Sequence, residues 1–347
     1  MADCHDVFQK FYEAIRLDKS KKYNLESGKK ALREKIRKHF KENKKVTPPK
    51  FYTQGSYAMG TIINPVDGEY DIDDGVYLQN LEQDKSKWPE AETVHQWVLD
   101  AVDDHTKNKP IDKRTCIRVI YAGEYHIDLP IYCMHEGKPY LAEKSDMGWH
   151  ISDPRKITSW FKNELINNGE QLKRIICFFK AWADSKPKSP SLPSGLVLTI
   201  LATEGFQGDI HEDVSYAKTI ASVLDRLNIS TVIRNPNDAS EDLSERLSKA
   251  EMDNFKVRLA ALVKNAEEAI KEQDKEKACK IWIREFGERF PLFNEDKERE
   301  MAESLSDAIN KGELYIKAGA PSIIVGKTKE NDPEFRRIPS SRSWRAS

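Results

Sequence analysis

Three aspartates on apolar stretches are the residues of this chain best suited to chemistry. Asp71 and Asp73 lie one residue apart in EYDIDDGVYL, and Asp128 lies in HIDLPIY. Carboxylates this close repel each other unless a cation lies between them, and aspartate is disfavoured inside strands. Magnesium binds through one or two carboxylates together with substrate phosphates, and two such ions stabilise the attacking and leaving oxygens of a phosphoryl transfer. The pattern therefore predicts a site for two Mg²⁺ ions, with Mn²⁺ as the alternative metal.

A second set of residues is of the kind that binds phosphate. Gly55 and Ser56 form a turn ahead of the aspartates, where a glycine lets the backbone approach a phosphate and a serine hydroxyl donates to it. Lys180 supplies a cation, and Ser194 begins a helix whose N-terminal amides attract anions. Gly-Ser, Asp-x-Asp and a third strand aspartate, in this order, predict a nucleotidyltransferase of the polymerase-β type.

Two features near these residues allow other interpretations. The Asp-x-Asp pair and Glu82 match positions of a calcium-binding EF-hand loop, but Val76 stands where that loop needs glycine. The flanking residues also predict strands rather than helices, so calcium is excluded. His126 lies two residues before Asp128 on the same strand face, where it is either a structural histidine or a support for the aspartates.

The elements that must position these residues are a small mixed α/β unit and a helical unit after it. Alternating residues predict a strand with both members of the Asp-x-Asp pair on one face, and a hairpin over residues 115–133 that carries Asp128. We expect the ligand in the cleft between the units. Helices are predicted from Ser194 onward and over residues 4–17, 28–44, 89–108, 153–167, 171–185, 212–228 and 240–286. The predicted domains are a nucleotidyltransferase core with N-terminal helices (1–150), a helical lobe (151–327) and a disordered polar tail (328–347).

Composition excludes several classes of protein. The formal net charge is −1, and the chain has neither a long basic stripe nor a cysteine-rich zinc insertion, so nucleic-acid binding is not supported. The five cysteines have no zinc-like spacing, which fits free thiols in a reducing compartment. No apolar run approaches the length of a membrane span, and the N-terminus lacks the apolar core of a signal peptide. We therefore expect a cytoplasmic location without membrane attachment.

Several segments together resemble the cGAS/DncV-like nucleotidyltransferases (CD-NTases) of bacterial CBASS anti-phage systems, and among them the DncV-like cyclic dinucleotide synthases. The segments are FYTQGSYAMGT with EYDIDDGVYL, TCIRV with YHIDLPIY, GWHISDPRKITSWF, and LKRIICFFKAWADS with LPSGLVL. The resemblance is nearly continuous over residues 50–205. It implies an α+β chain with a polymerase-β-like nucleotidyltransferase fold, in which a mixed-sheet lobe and a helical lobe enclose the active site.

The resemblance also implies an activity. Members of this family join nucleoside triphosphates such as ATP and GTP, release pyrophosphate and make cyclic di- or trinucleotide second messengers. By motif position, the three aspartates would hold two Mg²⁺ ions, with Asp128 nearest the attacking 3′-hydroxyl. Arg118, in TCIRV, matches a position that contacts a base. The positions that match triphosphate-binding ones are Gln54, Gly55, Ser56, Lys180 and Ser194.

Partners follow from the same resemblance. A downstream effector protein that binds the cyclic nucleotide is implied, and the polar tail resembles the segment that ubiquitin-transfer-like enzymes modify in some of these operons. Two other hypotheses stay open: template-free transfer of nucleotides to RNA or protein, which predicts a basic acceptor channel, and an inactive nucleotide-binding scaffold. The scaffold is disfavoured because all three aspartates are present.

Overall fold

Two compact units, Met1–Pro291 and Leu292–Ser347, make up the chain. The structure, a computed structural model, describes residues 2–121 and 125–294 and, beyond them, residues 300 and 303–307 and the strands Leu314–Lys317, Ile323–Val325 and Phe335–Arg337. In the second unit, the first of these strands pairs antiparallel with the other two. Apart from the last strand, the tail predicted at 328–347 lies outside the described residues. The domain boundary predicted at residue 150 falls inside the first unit and stays a prediction.

A mixed sheet carries the strands predicted to hold the aspartates. Its order is β1-β2-β5-β4-β3, with β6 beside β5 and β7 beside β6. β2 and β5 are parallel, and the other neighbours are antiparallel. The predicted hairpin is confirmed as β4 and β5, although its turn at 122–124 lies outside the described residues. The strands are β1 (Lys50–Gln54), β2 (Tyr70–Leu78), β3 (Ile111–Asp112), β4 (Cys116–Tyr121), β5 (Tyr125–His135), β6 (Lys138–Ala142) and β7 (Trp149–Ile151).

The helices largely follow the predicted periodicity, with shifted ends. The second helix begins at Lys19, earlier than predicted, because the Asp18 side chain accepts the Lys21 N–H at 2.7 Å and caps it. In the described part of the chain, no helix is both long and apolar enough for a membrane span. The helices are α1 (His5–Ile15), α2 (Lys19–His39), α3 (Gly55–Met59), α4 (Ala91–Val102), α5 (Pro154–Asn168), α6 (Glu170–Asp184), α7 (Gly195–Glu204), α8 (Glu212–Ile229), α9 (Lys249–Lys271) and α10 (Lys275–Phe286).

The continuous helical stretch predicted over 240–286 is wrong at its start. Residues Asp238–Asp242 form strand β9, which pairs with β8 (Arg234–Asn235). The intervening Asn-Pro-Asn-Asp run contains the residue types that favour turns, and this local chemistry outweighs the helical spacing that follows. Helical structure resumes with α9, and residues 272–274 interrupt the predicted stretch again before α10.

The two faces of the sheet differ. Ile72 of β2 and Ile127 of β5 are fully buried in a core that also contains Leu32 of α2 and Val98 of α4. Because side chains alternate along a strand, the predicted metal-binding aspartates project from the opposite face. The helices on one face therefore leave the other face for the site.

Aromatic packing attaches the first helix to the helical half. The Phe8 ring of α1 lies 5.1 Å from Phe178 of α6 and 5.0 Å from Trp282 of α10, measured between ring centroids. Phe8 is fully buried, and truncation of such a phenylalanine to alanine costs about 3–5 kcal/mol. α1 therefore packs with helices from the second half of the unit, and it helps to hold α6, which carries Lys180.

Candidate active site

The parallel pairing of β2 with β5 places the predicted metal residues side by side. Asp71 is in register with His126, and Asp73 with Asp128. Among the described residues, one ligand atom each from Asp71, His126 and Asp128 lies within 4.8 Å of the other two. Carboxylate oxygen and imidazole nitrogen are donors that divalent cations use. The residues present therefore fit a metal ion, with His126 as a further ligand candidate.

Asp73 lies beside this group without belonging to it. A Cβ atom added to Gly55 would lie 2.2 Å from Asp73 Oδ2, and Gly55 has a φ of +68°, a conformation that favours glycine. Burial and then the charges of Asp71 and Asp128 raise the pKa of Asp73 to about 7. A cation at this point would relieve the repulsion. The metal contact of Asp73 stays a prediction.

Arg118 binds the third aspartate. Its Nε and Nη2 atoms donate to the two carboxylate oxygens of Asp128, each at 2.7 Å. Lys113 Nζ lies 3.8 Å from Asp128 Oδ2. The hydrogen bonds to Asp128 raise the pKa of Arg118, so the guanidinium stays charged. The base contact predicted for Arg118 stays a prediction, because in this structure the side chain binds Asp128.

A cavity of about 510 Å³ brings the two predicted sets of residues together. Its wall includes Ser56, Asp71, Lys180 and Gly195, which come from α3, β2, α6 and α7. This volume is in the range of small-molecule sites. A carboxylate suited to a metal therefore shares one cavity with a hydroxyl and a cation suited to phosphate.

Lys180 is buried in the wall of this cavity. Its Nζ donates to Thr61 Oγ1 at 2.9 Å and to the Thr61 carbonyl oxygen at 3.3 Å. Burial lowers the pKa of Lys180 to about 8. Because Thr61 follows α3, these bonds connect the Gly-Ser segment to α6 and hold an ammonium group where a phosphate oxygen can accept from it.

Ser194 and Gln54 are placed differently from Lys180. Ser194 caps α7, since its Oγ accepts the Val197 N–H at 3.4 Å, and it lies between two residues that line the cavity. Gln54 is buried, and its Nε2 donates to Tyr132 Oη at 3.1 Å. Neither side chain lines the cavity in this structure, and their triphosphate contacts stay predictions.

The β1–β5 region matches a known domain. A family model described as cyclic GMP-AMP synthase DncV-like, nucleotidyltransferase domain, covers residues 49–132. Residues 49–132 are a DncV-like nucleotidyltransferase domain. The domain contains the Gly-Ser segment, all three predicted aspartates and Arg118, and the resemblance predicted from the sequence is confirmed for this domain.

Curated relatives match part of this chain. The chain is 29% identical over 208 residues to the cyclic GMP-AMP synthase of Escherichia albertii, a match that covers 56% of this chain and 46% of that protein. It is 23% identical over 285 residues to the c-di-GMP synthase of Roseivirga ehrenbergii, covering 69% of this chain and 72% of that protein. The chain spans about half the length of the cyclic GMP-AMP synthases it matches.

Solved structures share the fold of this chain. Vibrio cholerae DncV cyclic AMP-GMP synthase superimposes with a TM-score of 0.72 at 21% identity, over 84% of this chain and 98% of that one. The same enzyme in complex with the linear intermediate 5′ pppA(3′,5′)pG gives 0.72 at 20% identity, over 83% and 96%. The predicted α+β nucleotidyltransferase fold is confirmed.

Sequence reasoning missed two contacts within the site. Thr61, which holds Lys180, carries no local signal, because its partner lies 119 residues away. The ion pair of Arg118 with Asp128 was also missed, although a hairpin whose register is known would have placed the two residues opposite each other. His126 did have a signal: it lies two residues from Asp128, so both side chains project from the same face of β5.

Proposed function

We propose that the chain is a metal-dependent synthase that makes a cyclic di- or trinucleotide from nucleoside triphosphates and releases pyrophosphate. The observation that carries this proposal is the register of Asp71 with His126 and of Asp73 with Asp128, beside a cavity lined by Ser56 and Lys180. Groups for a metal and groups for a triphosphate therefore meet at one place. The names of the relatives, cyclic GMP-AMP synthase and c-di-GMP synthase, support a cyclic dinucleotide product.

Phosphoryl transfer asks a protein mainly to position the reactants and neutralise charge. In our proposal Asp71, Asp73 and Asp128 hold two divalent cations, Mg²⁺ or Mn²⁺, with His126 beside them. When bound, these ions supply the positive charge that stabilises the attacking and leaving oxygens. Lys180 Nζ and Ser56 Oγ donate to phosphate oxygens in the cavity. Asp128 lies nearest the 3′-hydroxyl of the attacking nucleotide.

The biological part of the proposal rests on the family resemblance. A cyclic nucleotide acts by binding an effector protein, and synthases of this group serve bacterial CBASS signalling against phage. In that setting the chain would use ATP or GTP in the cytoplasm and act upstream of one effector. A ubiquitin-transfer-like enzyme that modifies the C-terminus would be a further partner.

The experiment incubates the purified chain with Mg²⁺ and labelled nucleoside triphosphates, singly and in all pairs, with and without added RNA. Phosphatase then removes terminal phosphates, and mass spectrometry identifies what is protected. A phosphatase-resistant cyclic product that depends on Mg²⁺ supports the proposal and names the bases. Extension of added RNA, or labelling of protein, with no cyclic product would overturn it in favour of template-free transfer.

A further inference from the structure

The second aspartate after Ile72, Asp74, does not belong to the site. Its side chain is fully buried, on the face of β2 that packs against α2. Arg33 of α2 donates to both of its oxygens, from Nε to Oδ2 at 2.6 Å and from Nη2 to Oδ1. The guanidinium also lies over the Phe51 ring, 5.5 Å from its centroid. Two parallel hydrogen bonds and a ring contact fix the orientation of Arg33.

Thr53 of β1 joins this pair. Its Oγ1 donates to Asp74 Oδ1 at 3.1 Å and accepts from Arg33 Nη2 at 2.9 Å. The antiparallel register places Thr53 directly opposite Asp74. One arginine on α2 therefore binds both β1 and β2 at the same level of the sheet.

Thr53 and Asp74 each lie next to a residue of the proposed site along their own strand. Gln54, next to Thr53, is opposite Asp73. A Cβ atom added to Gly55, the following residue, would collide with the Asp73 carboxylate, so the two residues lie side by side. Any displacement of Thr53 relative to Asp74 would therefore displace the Gly-Ser segment relative to the Asp-x-Asp pair.

We propose that Arg33 is a positioning residue that sets the separation between the Gly-Ser segment and the Asp-x-Asp pair by binding Thr53 and Asp74. This proposal rests on the proposed function, because that separation matters only where a metal and a phosphate are held together. A misplacement of about 1 Å can cost roughly 100-fold in rate. An apolar pair would fill the same space without charge, but it would not bind two strands in one geometry.

The test compares three variants with the full-length wild type. Arg33→Lys keeps the charge and loses the fork, and Arg33→Met with Asp74→Leu removes both charges together. Lys35→Gln is the matched control, because Lys35 is another α2 cation and its partner, Asp104, is outside β1 and β2. Mn²⁺ affinity is measured by electron paramagnetic resonance with a nonhydrolysable ATP analogue, alongside kcat, KM and the thermal midpoint.

Arg33→Lys should lower Mn²⁺ affinity and kcat by roughly 10- to 100-fold, the usual effect of a residue that orients a metal ligand. The apolar double variant should recover the thermal midpoint but neither Mn²⁺ affinity nor kcat, and Lys35→Gln should match the wild type.

Wild-type Mn²⁺ affinity in Arg33→Lys, or recovery of affinity together with the midpoint in the double variant, would overturn the positioning role and leave the proposed function standing. A wild type that binds no Mn²⁺ would overturn both. A wild type that binds Mn²⁺ without making a cyclic product would overturn the proposed function alone, because Mn²⁺ affinity still decides the role of Arg33.

Discussion

The Arg118 guanidinium covers both carboxylate oxygens of Asp128, at 2.7 Å each. The two residues are in register on neighbouring antiparallel strands, so the contact is built by the sheet. The Asp128 side chain is only 10% exposed. A divalent cation that approaches Asp128 therefore meets a carboxylate that already has a positive partner, and the two cations repel each other.

Arg118→Gln is therefore expected to tighten metal binding in the absence of nucleotide. Removal of one positive charge about 4 Å from the cation is worth about 1 kcal/mol even in water-like surroundings, or roughly fivefold in affinity. A titration with Mn²⁺, followed by electron paramagnetic resonance, measures this directly. Arg118→Lys, which keeps the charge, is the control. Weaker Mn²⁺ binding in Arg118→Gln would mean that the arginine supports the metal site instead of competing with it.

Lys180 predicts a pH dependence of nucleotide binding. Its pKa is lowered to about 8 by burial, so in the free protein the ammonium is charged below that pH and neutral above it. Affinity for a nonhydrolysable triphosphate should fall by roughly tenfold or more as pH rises from 7 to 9.5, the cost of a lost charge-assisted hydrogen bond. Isothermal titration calorimetry at several pH values measures the effect. Lys180→Arg should bind with little change over this range, and the same pH profile in that variant would exclude Lys180 as the titrating group.

Local patterns predicted which candidate residues lie together better than they predicted the contacts that hold them. Asp71 and Asp128 project from one face because strand alternation is a property of short segments, and the structure confirms that they lie together. Arg33 with Asp74, and Lys180 with Thr61, are joined across 41 and 119 residues. Those pairs depend on how α2 and α6 pack against the sheet, and no local pattern encodes that packing.

Asp71→Asn with Asp73→Asn should abolish product formation while the protein stays folded, because the variant loses the carboxylates proposed to hold metal. Its stability should also depend less on pH than that of the wild type. Burial and neighbouring charge raise the pKa of Asp73 from its ordinary 3.8 to about 7. In metal-free protein the unfolded chain therefore ionises at a lower pH than the folded one, and the stability of the folded protein falls as pH rises from 3.8 to about 7. Thermal midpoints in EDTA at pH 5 and pH 8 should show the variant gaining on the wild type at pH 8. Surviving product in this variant would remove both residues from the metal site.

Ser194→Ala should raise KM for the nucleoside triphosphate and lower stability. The hydroxyl caps α7 by accepting the Val197 N–H at 3.4 Å, and loss of such a cap costs about 1 kcal/mol. Loss of one hydrogen bond from the hydroxyl to a charged phosphate oxygen would raise KM by roughly 10- to 100-fold. Asp274→Ala is the control, because the Asp274 side chain caps α10 by accepting the Lys277 N–H at 3.1 Å, and neither Asp274 nor any residue of α10 lines the cavity. The control should lower the thermal midpoint and leave KM unchanged. Equal KM values in the two variants would assign Ser194 to the helix cap and take it out of the triphosphate site.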